Sequence, residues 1–165
     1  MKQIDEIFYD ALMADNELKA ACGYRAPQGK EDPGSPARIK STCFEVSPTA
    51  DSDNTPLPCI IVMDDGFQNS NDTKDDDWES TQDDWVVSIE VNAKKPKSVD
   101  ELVARVRYAI GRYIKTLPED ERPQLTSVSS NGKAWDWTKP CYHSTITYRC
   151  STNYDNSYEQ ESENE

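Results

Sequence analysis

The chain has 165 residues, a formal net charge of −13 and a mean hydropathy of −0.87, with 35% hydrophobic residues. This length suits a single domain with one core, and the low hydropathy predicts that part of the chain lies outside that core. The acidity argues against a basic DNA-binding surface, because affinity for phosphates comes mainly from lysine and arginine.

The first half of the chain is predicted to contain one helix followed by three strands. Apolar residues at helical spacing predict an amphipathic helix over residues 2–21. After a loop rich in proline and glycine, residues 38–46 and the apolar run 59–63 predict two strands. Residues 85–93 alternate between apolar and polar side chains, which is the period of a half-buried strand.

The second half is predicted to contain one helix and two strands. Ser98 and Glu101 form a capping box at the start of an apolar stripe, which predicts a helix over residues 98–116. Residues 124–130 and 141–150 predict strands, with an Asn-Gly turn and a loop holding two tryptophans between them.

These elements together predict an α+β fold. We expect a mostly antiparallel sheet of about five strands with two helices packed on one face, in the order α-β-β-β-α-β-β. Residues 1–152 would form the single domain, with an acidic loop at 64–84. Residues 153–165 contain no aliphatic side chain and are predicted to be a disordered acidic tail.

Most of the negative charge lies in two segments. Between Asp51 and Asp84 there are eleven acids and one base, Lys74, and five more acids follow Ser151. The rest of the chain is therefore close to neutral. The candidate interaction residues in the acidic loop are Asp64, Asp65, Asp72, Asp75, Asp76, Asp77, Asp83 and Asp84.

The acidic loop admits three interpretations. A calcium site needs carboxylates that converge, but neither Asp64 nor Asp72 begins an EF-hand series, and the consecutive acids 75–77 point in different directions. A solvated loop is the plainest interpretation. The third is a loop whose negative field is itself its function. We expect no metal and no cofactor.

The residues do not favour catalysis. His143 is the single histidine, it lies within a predicted strand, and no nucleophile signature surrounds any serine or cysteine. The five cysteines are odd in number and form no CxxC pair, which argues against a disulfide framework or a zinc site. We therefore expect no enzymatic activity and no catalytic residue.

The candidate subunit contacts are basic and aromatic. Two interpretations are open for the basic residues: they contact an acidic neighbour, including a second copy of the chain, or they form a solvated helix face. For one of the tryptophans, the alternative to an interface contact is packing in the core. These candidates are Lys94, Lys95, Arg105, Arg112, Trp135 and Trp137. The chain shows neither a signal peptide nor a membrane span, so we expect a soluble protein of the cytoplasm.

Four segments resemble a known family in their order and spacing. After the N-terminal helix come ARIKSTCFEV, TPLPCIIVMDD, WVVSIEVNA and SVDELVARVRYAIGRYI. Together they resemble the tail-terminator and head-tail joining proteins of long-tailed bacteriophages and prophages, over about residues 1–117. The acidic segment, the loop with the two tryptophans and the acidic tail depart from the family pattern.

The resemblance implies a structural role. It implies a small α+β domain that assembles as a ring, by analogy a hexamer, capping the tail tube and meeting the head connector. It also implies that the protein is made in the bacterial cytoplasm and becomes part of the virion. DNA would pass through such a ring without being bound specifically, and no catalytic residue is implied.

Two other functions compete with this one. An acidic inhibitor that mimics DNA would need carboxylates spaced along rigid elements, whereas the sequence places them in a loop and a tail. A metal-dependent hydrolase using Asp64, Asp65 and Asp84 is disfavoured by the lack of histidines and of spaced acid motifs.

Overall fold

The computed structural model of the chain describes residues 2–46, 48–49, 56–69 and 80–155. Over these residues the chain is α+β, with three helices packed on one face of a six-stranded mixed sheet. The predicted class is therefore confirmed. The predicted numbers, two helices and about five strands, were each one too few.

The element bounds differ from the prediction mainly at their ends. The helices are α1 (Ile4–Met13), α2 (Asn16–Ala21) and α3 (Pro96–Thr116). The strands are β1 (Ile39–Ser41), β2 (Cys59–Asn69), β3 (Ser80–Ala93), β4 (Gln124–Ser130), β5 (Ala134–Asp136) and β6 (Cys141–Asp155). A 3-10 turn at Glu119–Glu121 lies between α3 and β4.

The sheet is built around the long strands β3 and β6. Its order is β1-β2-β3-β6-β4, and β5 pairs with β6 beside β4. All pairs are antiparallel except β1 with β2, which is parallel, so the sheet is mixed. β3 and β6 pair over fourteen positions, from Ser80 opposite Asp155 to Ala93 opposite Tyr142. At about 3.4 Å per residue this ladder is roughly 44 Å long.

One face of the sheet forms the main core with the helices. The alternating residues Val87, Ile89 and Val91 of β3 point to this face and are fully buried. Phe8 of α1 packs edge-on against Tyr148 of β6, with ring centroids 5.1 Å apart. The other face holds a smaller apolar cluster around Cys59 and Ile61, with Leu57 and Met63 packed against it.

The predicted N-terminal helix is two helices, because Asp15 breaks it. Asp15 is extended, with φ −95° and ψ 109°, and its carboxylate accepts a hydrogen bond of 2.9 Å from the backbone N–H of Leu18. Aspartate is better as a helix cap than in a helix interior, since its short side chain can satisfy a free N–H. The apolar stripe continues across this break, so periodicity alone did not reveal it.

The first strand predicted from the sequence, residues 38–46, is only three residues long as β1. The N–H groups of Phe44 and Glu45 both donate to the carbonyl of Ser41, which turns the chain after the strand. The prediction was wrong at this end because β-branched and aromatic composition does not reveal a local turn.

The strands around the acidic segment are longer than predicted. β2 continues to Asn69 and β3 begins at Ser80, so Asp64, Asp65, Asp83 and Asp84 lie in strands and not in a loop. β6 continues to Asp155, past the predicted start of the tail at residue 153, and residues 156–165 lie outside the described residues. These polar extensions are strands because each one pairs with a neighbouring strand of the sheet. The sequence of one strand alone does not reveal this pairing.

Candidate interaction surfaces

A β-bulge positions the first two acids of the acidic segment. The register of β2 on β3 shifts between Asp64 and Phe67, and Gly66 adopts φ +102°, a conformation that favours glycine. The Asp64 carboxylate accepts a hydrogen bond of 2.7 Å from the Gly66 N–H. Asp65 accepts a hydrogen bond from the Ser88 hydroxyl on the neighbouring strand. Both side chains are therefore held by the sheet.

The acids on β3 face opposite sides of the sheet. Asp83 is buried, at 2% exposure, whereas Asp84 is exposed and accepts a hydrogen bond of 2.9 Å from the Ser151 hydroxyl of β6. Asp72, Asp75, Asp76 and Asp77 lie outside the described residues.

An aromatic pair that the sequence analysis did not select lies beside these acids. Phe67 is 55% exposed and packs against Trp85, with ring centroids 4.6 Å apart. The Trp85 indole N–H donates to the Thr152 hydroxyl at 3.0 Å, which fixes its ring between β3 and β6. Phe67 follows Gly66 in a run of polar residues, so only the shift of register at the bulge brings it opposite Trp85.

The pairing of β3 with its neighbours brings the strand ends that border both acidic segments to one end of the sheet. Asn69 of β2 pairs with Asp83, and Ser80 pairs with Asp155 of β6. Residues 64–84 hold nine acids and one lysine, and five acids follow Ser151. These two segments account for the whole net charge of −13. We call this the acidic end, represented among the described side chains by Asp64, Asp65, Asp83 and Asp84.

The acidic end does not form a metal site within the described ranges. No three residues among its carboxylates and the described histidine, cysteines and other acids converge closely enough to hold an ion. Asp64 lies near Asp5, and the Thr42 hydroxyl lies between them: it donates to Asp5 at 2.6 Å and accepts from the Asp64 N–H at 3.0 Å. Burial raises the pKa of Asp64, and the charges of Asp5 and Asp65 raise it further, while the Gly66 N–H lowers it.

Neutralising Asp64 is expected to stabilise the fold at neutral pH. A carboxyl whose pKa is raised in the folded state favours folding while protonated, and this contribution is lost as the pH rises through the folded-state pKa. Asp64→Asn keeps an oxygen for the Gly66 N–H and removes the charge, so its melting temperature should exceed that of the unmodified chain at pH 7. The gain should shrink as the pH falls toward 4, because the carboxyl then becomes protonated in both states and the ordinary aspartate pKa is about 3.9.

The control for this comparison removes an exposed acid. Glu119→Gln makes the same change of net charge in the exposed 3-10 turn. Thermal unfolding of the three proteins from pH 4 to pH 8 separates local from global charge effects. An equal gain for both variants at every pH would show that the surroundings of Asp64 are not the cause.

The opposite end of the sheet carries lysines and tryptophans. β3 ends at Ala93, which pairs with Tyr142, and Tyr142 pairs with Trp135 of β5. Trp135 was predicted to lie in a loop, but it lies in a strand. Its ring contacts Tyr142 at 4.8 Å and Trp137 at 5.7 Å between centroids. Trp137 is 86% exposed, so core packing does not account for it.

The lysines of this end are only partly neutralised by nearby acids. Lys133 pairs with Asp100 of α3, and Lys139 pairs with Glu90 at 3.2 Å. The side chains of Lys94 and Lys95 are exposed and make no hydrogen bond or ion pair within the part of the chain that the structure describes. We call this surface the lysine–tryptophan end, defined by Lys94, Lys95, Lys133, Trp135 and Trp137.

The two arginines predicted as subunit contacts line a groove between the α1–α2 junction and α3. Arg105 donates to the buried Asp15 at 3.0 Å from Nε, and its other nitrogens contact Asp15 at 2.9 Å and Glu17 at 3.1 Å. Arg112 is exposed and contacts the Tyr108 hydroxyl at 3.4 Å. Arg105 is thus engaged within its own chain, which leaves Arg112 as the more accessible of the two.

His143 lies on β6 on the sheet face opposite the helices, opposite Asn92 of β3. Its Nδ1 atom is buried and has no hydrogen-bond partner among the residues that the structure describes. The exposed Asp84 is far along the ladder from it, so the two do not form a site together.

Comparison with known proteins does not assign a family. No protein-family model matches the chain, and no curated protein has a significantly similar sequence. Among the described residues, none of the helices is long and apolar enough to cross a membrane. The function is therefore inferred from the two ends of the sheet.

Proposed function

We propose that this protein is a structural component of a phage or prophage tail end or neck, which assembles as a ring, caps the tail tube and joins it to the head connector. The observation that best supports the proposal is that the strand ends bordering both acidic segments lie at one end of the sheet, while the rest of the sequence is balanced in charge. A neutral body can pack against copies of itself without strong mutual repulsion.

The acidic end gives such a ring a physical role. If it faces the lumen, the carboxylates of many copies repel the phosphates of passing DNA, so the cargo is not retained. If it faces an adjoining ring, it seats on basic residues there. Lys94, Lys95 and Arg112 are the exposed candidates for contacts between subunits, and Arg105 supports the fold through Asp15.

Size measurement tests the proposal. We expect sedimentation velocity to show multimers of the 18.7 kDa chain that grow with protein concentration, and negative-stain microscopy to show closed rings, hexamers by the resemblance. Duplex DNA should not bind at low salt, where any electrostatic affinity is largest. A chain that stays monomeric at every accessible concentration would contradict the ring.

A second function is favoured by one observation. An inhibitor that mimics DNA needs exposed carboxylates on rigid elements, and the exposed Asp65 and Asp84 lie in paired strands instead of the predicted loop. In that case the chain would be a monomer or dimer and would bind a basic DNA-binding protein tightly, with an affinity that falls steeply with salt. Sedimentation of the isolated chain distinguishes the two functions before any partner is sought.

A further inference from the structure

The two ends of the sheet are complementary in charge, and a single copy cannot bring them together. Asp84 and Ala93, the residue of β3 that precedes Lys94, are nine residues apart along the strand, which at about 3.4 Å per residue is roughly 31 Å. Side chains held in the strands cannot span this distance. A contact between Asp65 or Asp84 and Lys94 or Lys95 therefore requires two copies.

The lysine–tryptophan end has the composition of an interface. Exposed tryptophan is enriched at contacts between proteins, because its large ring buries much apolar area and loses little conformational freedom. Trp137 is 86% exposed and stands against Trp135, which lies between it and Tyr142 of the sheet. Lys94 and Lys95 lie at the end of β3 in the same region, and their charges are not neutralised by described neighbours.

The acidic end presents matching features. Asp65 and Asp84 are exposed and are held in place by hydroxyls of neighbouring strands. Phe67, which packs on Trp85 on the opposite face of the sheet from Asp84, is 55% exposed and gives this end an apolar contact for a facing indole ring. Both ends therefore combine charge with an exposed aromatic ring, and the signs of their charges are opposite.

We propose that the lysine–tryptophan end of one copy receives the acidic end of a second copy, so that copies associate head to tail. This inference rests on the proposed function, because it names the surfaces through which the copies assemble. A contact between two different surfaces is heterologous. Repeated from copy to copy, it gives a closed ring when the rotations between neighbouring copies add up to a full turn. Salt should weaken the contact, because charged groups at its rim are screened.

Two neutralised variants test the head-to-tail arrangement. In the first, Lys94→Gln, Lys95→Gln and Trp137→Ala disable the lysine–tryptophan end. In the second, Asp65→Asn and Asp84→Asn weaken the acidic end. Each variant alone should associate about tenfold more weakly than the unmodified chain, since the loss of one central tryptophan or of two charge contacts commonly exceeds that factor. Circular dichroism and thermal unfolding confirm that each variant is folded.

Mixing the two variants is the decisive measurement. Each retains one intact surface, so an equimolar mixture should form a mixed dimer that goes no further, detectable by sedimentation with one variant fluorescently labelled. Lys115→Gln at the far end of α3 and Phe44→Ala on a separate exposed surface serve as controls, and both should assemble normally.

The outcomes separate this inference from the proposed function. If the unmodified chain assembles but the first variant assembles equally well, the lysine–tryptophan end is not the contact and the inference is overturned, while the ring proposal stands. If the variants are weakened but their mixture gives no mixed dimer, like ends meet like ends and the head-to-tail arrangement is wrong. A monomeric unmodified chain overturns both.

Discussion

Phe8→Ala is expected to lower the free energy of unfolding by about 3–5 kcal/mol, the usual cost of removing a buried phenylalanine ring. Phe8 is 1% exposed in the middle of α1 and contacts Tyr148 of β6 edge-on. The variant loses the burial of the ring, leaves a cavity between the helix layer and the sheet, and loses the aromatic contact, itself worth about 0.5–1.5 kcal/mol. Urea unfolding followed by tryptophan fluorescence measures the change.

An exposed phenylalanine provides the matched control. Phe44 is 66% exposed, and its ring lies edge-on against Tyr9. Phe44→Ala should therefore change the stability by about 0.5–1 kcal/mol or less. A small domain is typically stable by only about 5–15 kcal/mol, so the difference between the two variants should be plain. Equal effects would mean that α1 does not pack on the sheet through Phe8.

Asp15→Ala is expected to lower the free energy of unfolding by about 2–3 kcal/mol, because its carboxylate has two partners. It caps α2 through the Leu18 N–H, and loss of such a cap costs about 1 kcal/mol. Asp15 is almost fully buried and also pairs with Arg105 of α3, so breaking this pair destabilises the fold further. The loss is moderated because Arg105 is partly exposed and retains its ion pair with Glu17. The pair of Asp15 with Arg105 joins the α1–α2 junction to α3.

Two further variants separate the cap from the ion pair. Asp15→Asn retains an oxygen for the Leu18 N–H and loses the charge. Its free energy of unfolding should therefore lie between those of the unmodified chain and Asp15→Ala. Asp10→Ala removes an aspartate that pairs with exposed Lys2 at 2.6 Å, and it should destabilise the fold less than Asp15→Ala because solvent screens this pair. If Asp15→Ala costs no more than Asp10→Ala in chemical denaturation, the contact between α2 and α3 does not contribute to stability.

Helix α3 shows what a local pattern can predict. Its apolar stripe was predicted over residues 98–116, and the helix runs from Pro96 to Thr116 with Val99, Val106 and Ile110 buried. The early start follows from proline, which suits the first turn because its missing N–H would have no partner there. A long amphipathic helix is determined within its own sequence, since every backbone hydrogen bond is local.

Strands β2, β3 and β6 show where a local pattern fails. The sequence predicts their apolar centres, but it predicts a loop at their polar ends, such as Asp64 to Asn69 in β2. Aspartate, glycine and asparagine disfavour strands, and they form one here because a neighbouring strand supplies the hydrogen bonds. The partner lies far along the chain for β3 and β6, so no window of sequence contains both sides of the ladder.

The sequence by itself determined how much negative charge the protein carries, which segments carry it, and that the rest of the chain is neutral. Only the tertiary structure decided that the strand ends bordering these segments lie together, because this depends on the register that places Ser80 opposite Asp155. The same register sends Lys94, Lys95, Trp135 and Trp137 to the far end of the sheet. Charge is a property of composition, whereas its separation into two opposed ends is a product of non-local strand pairing.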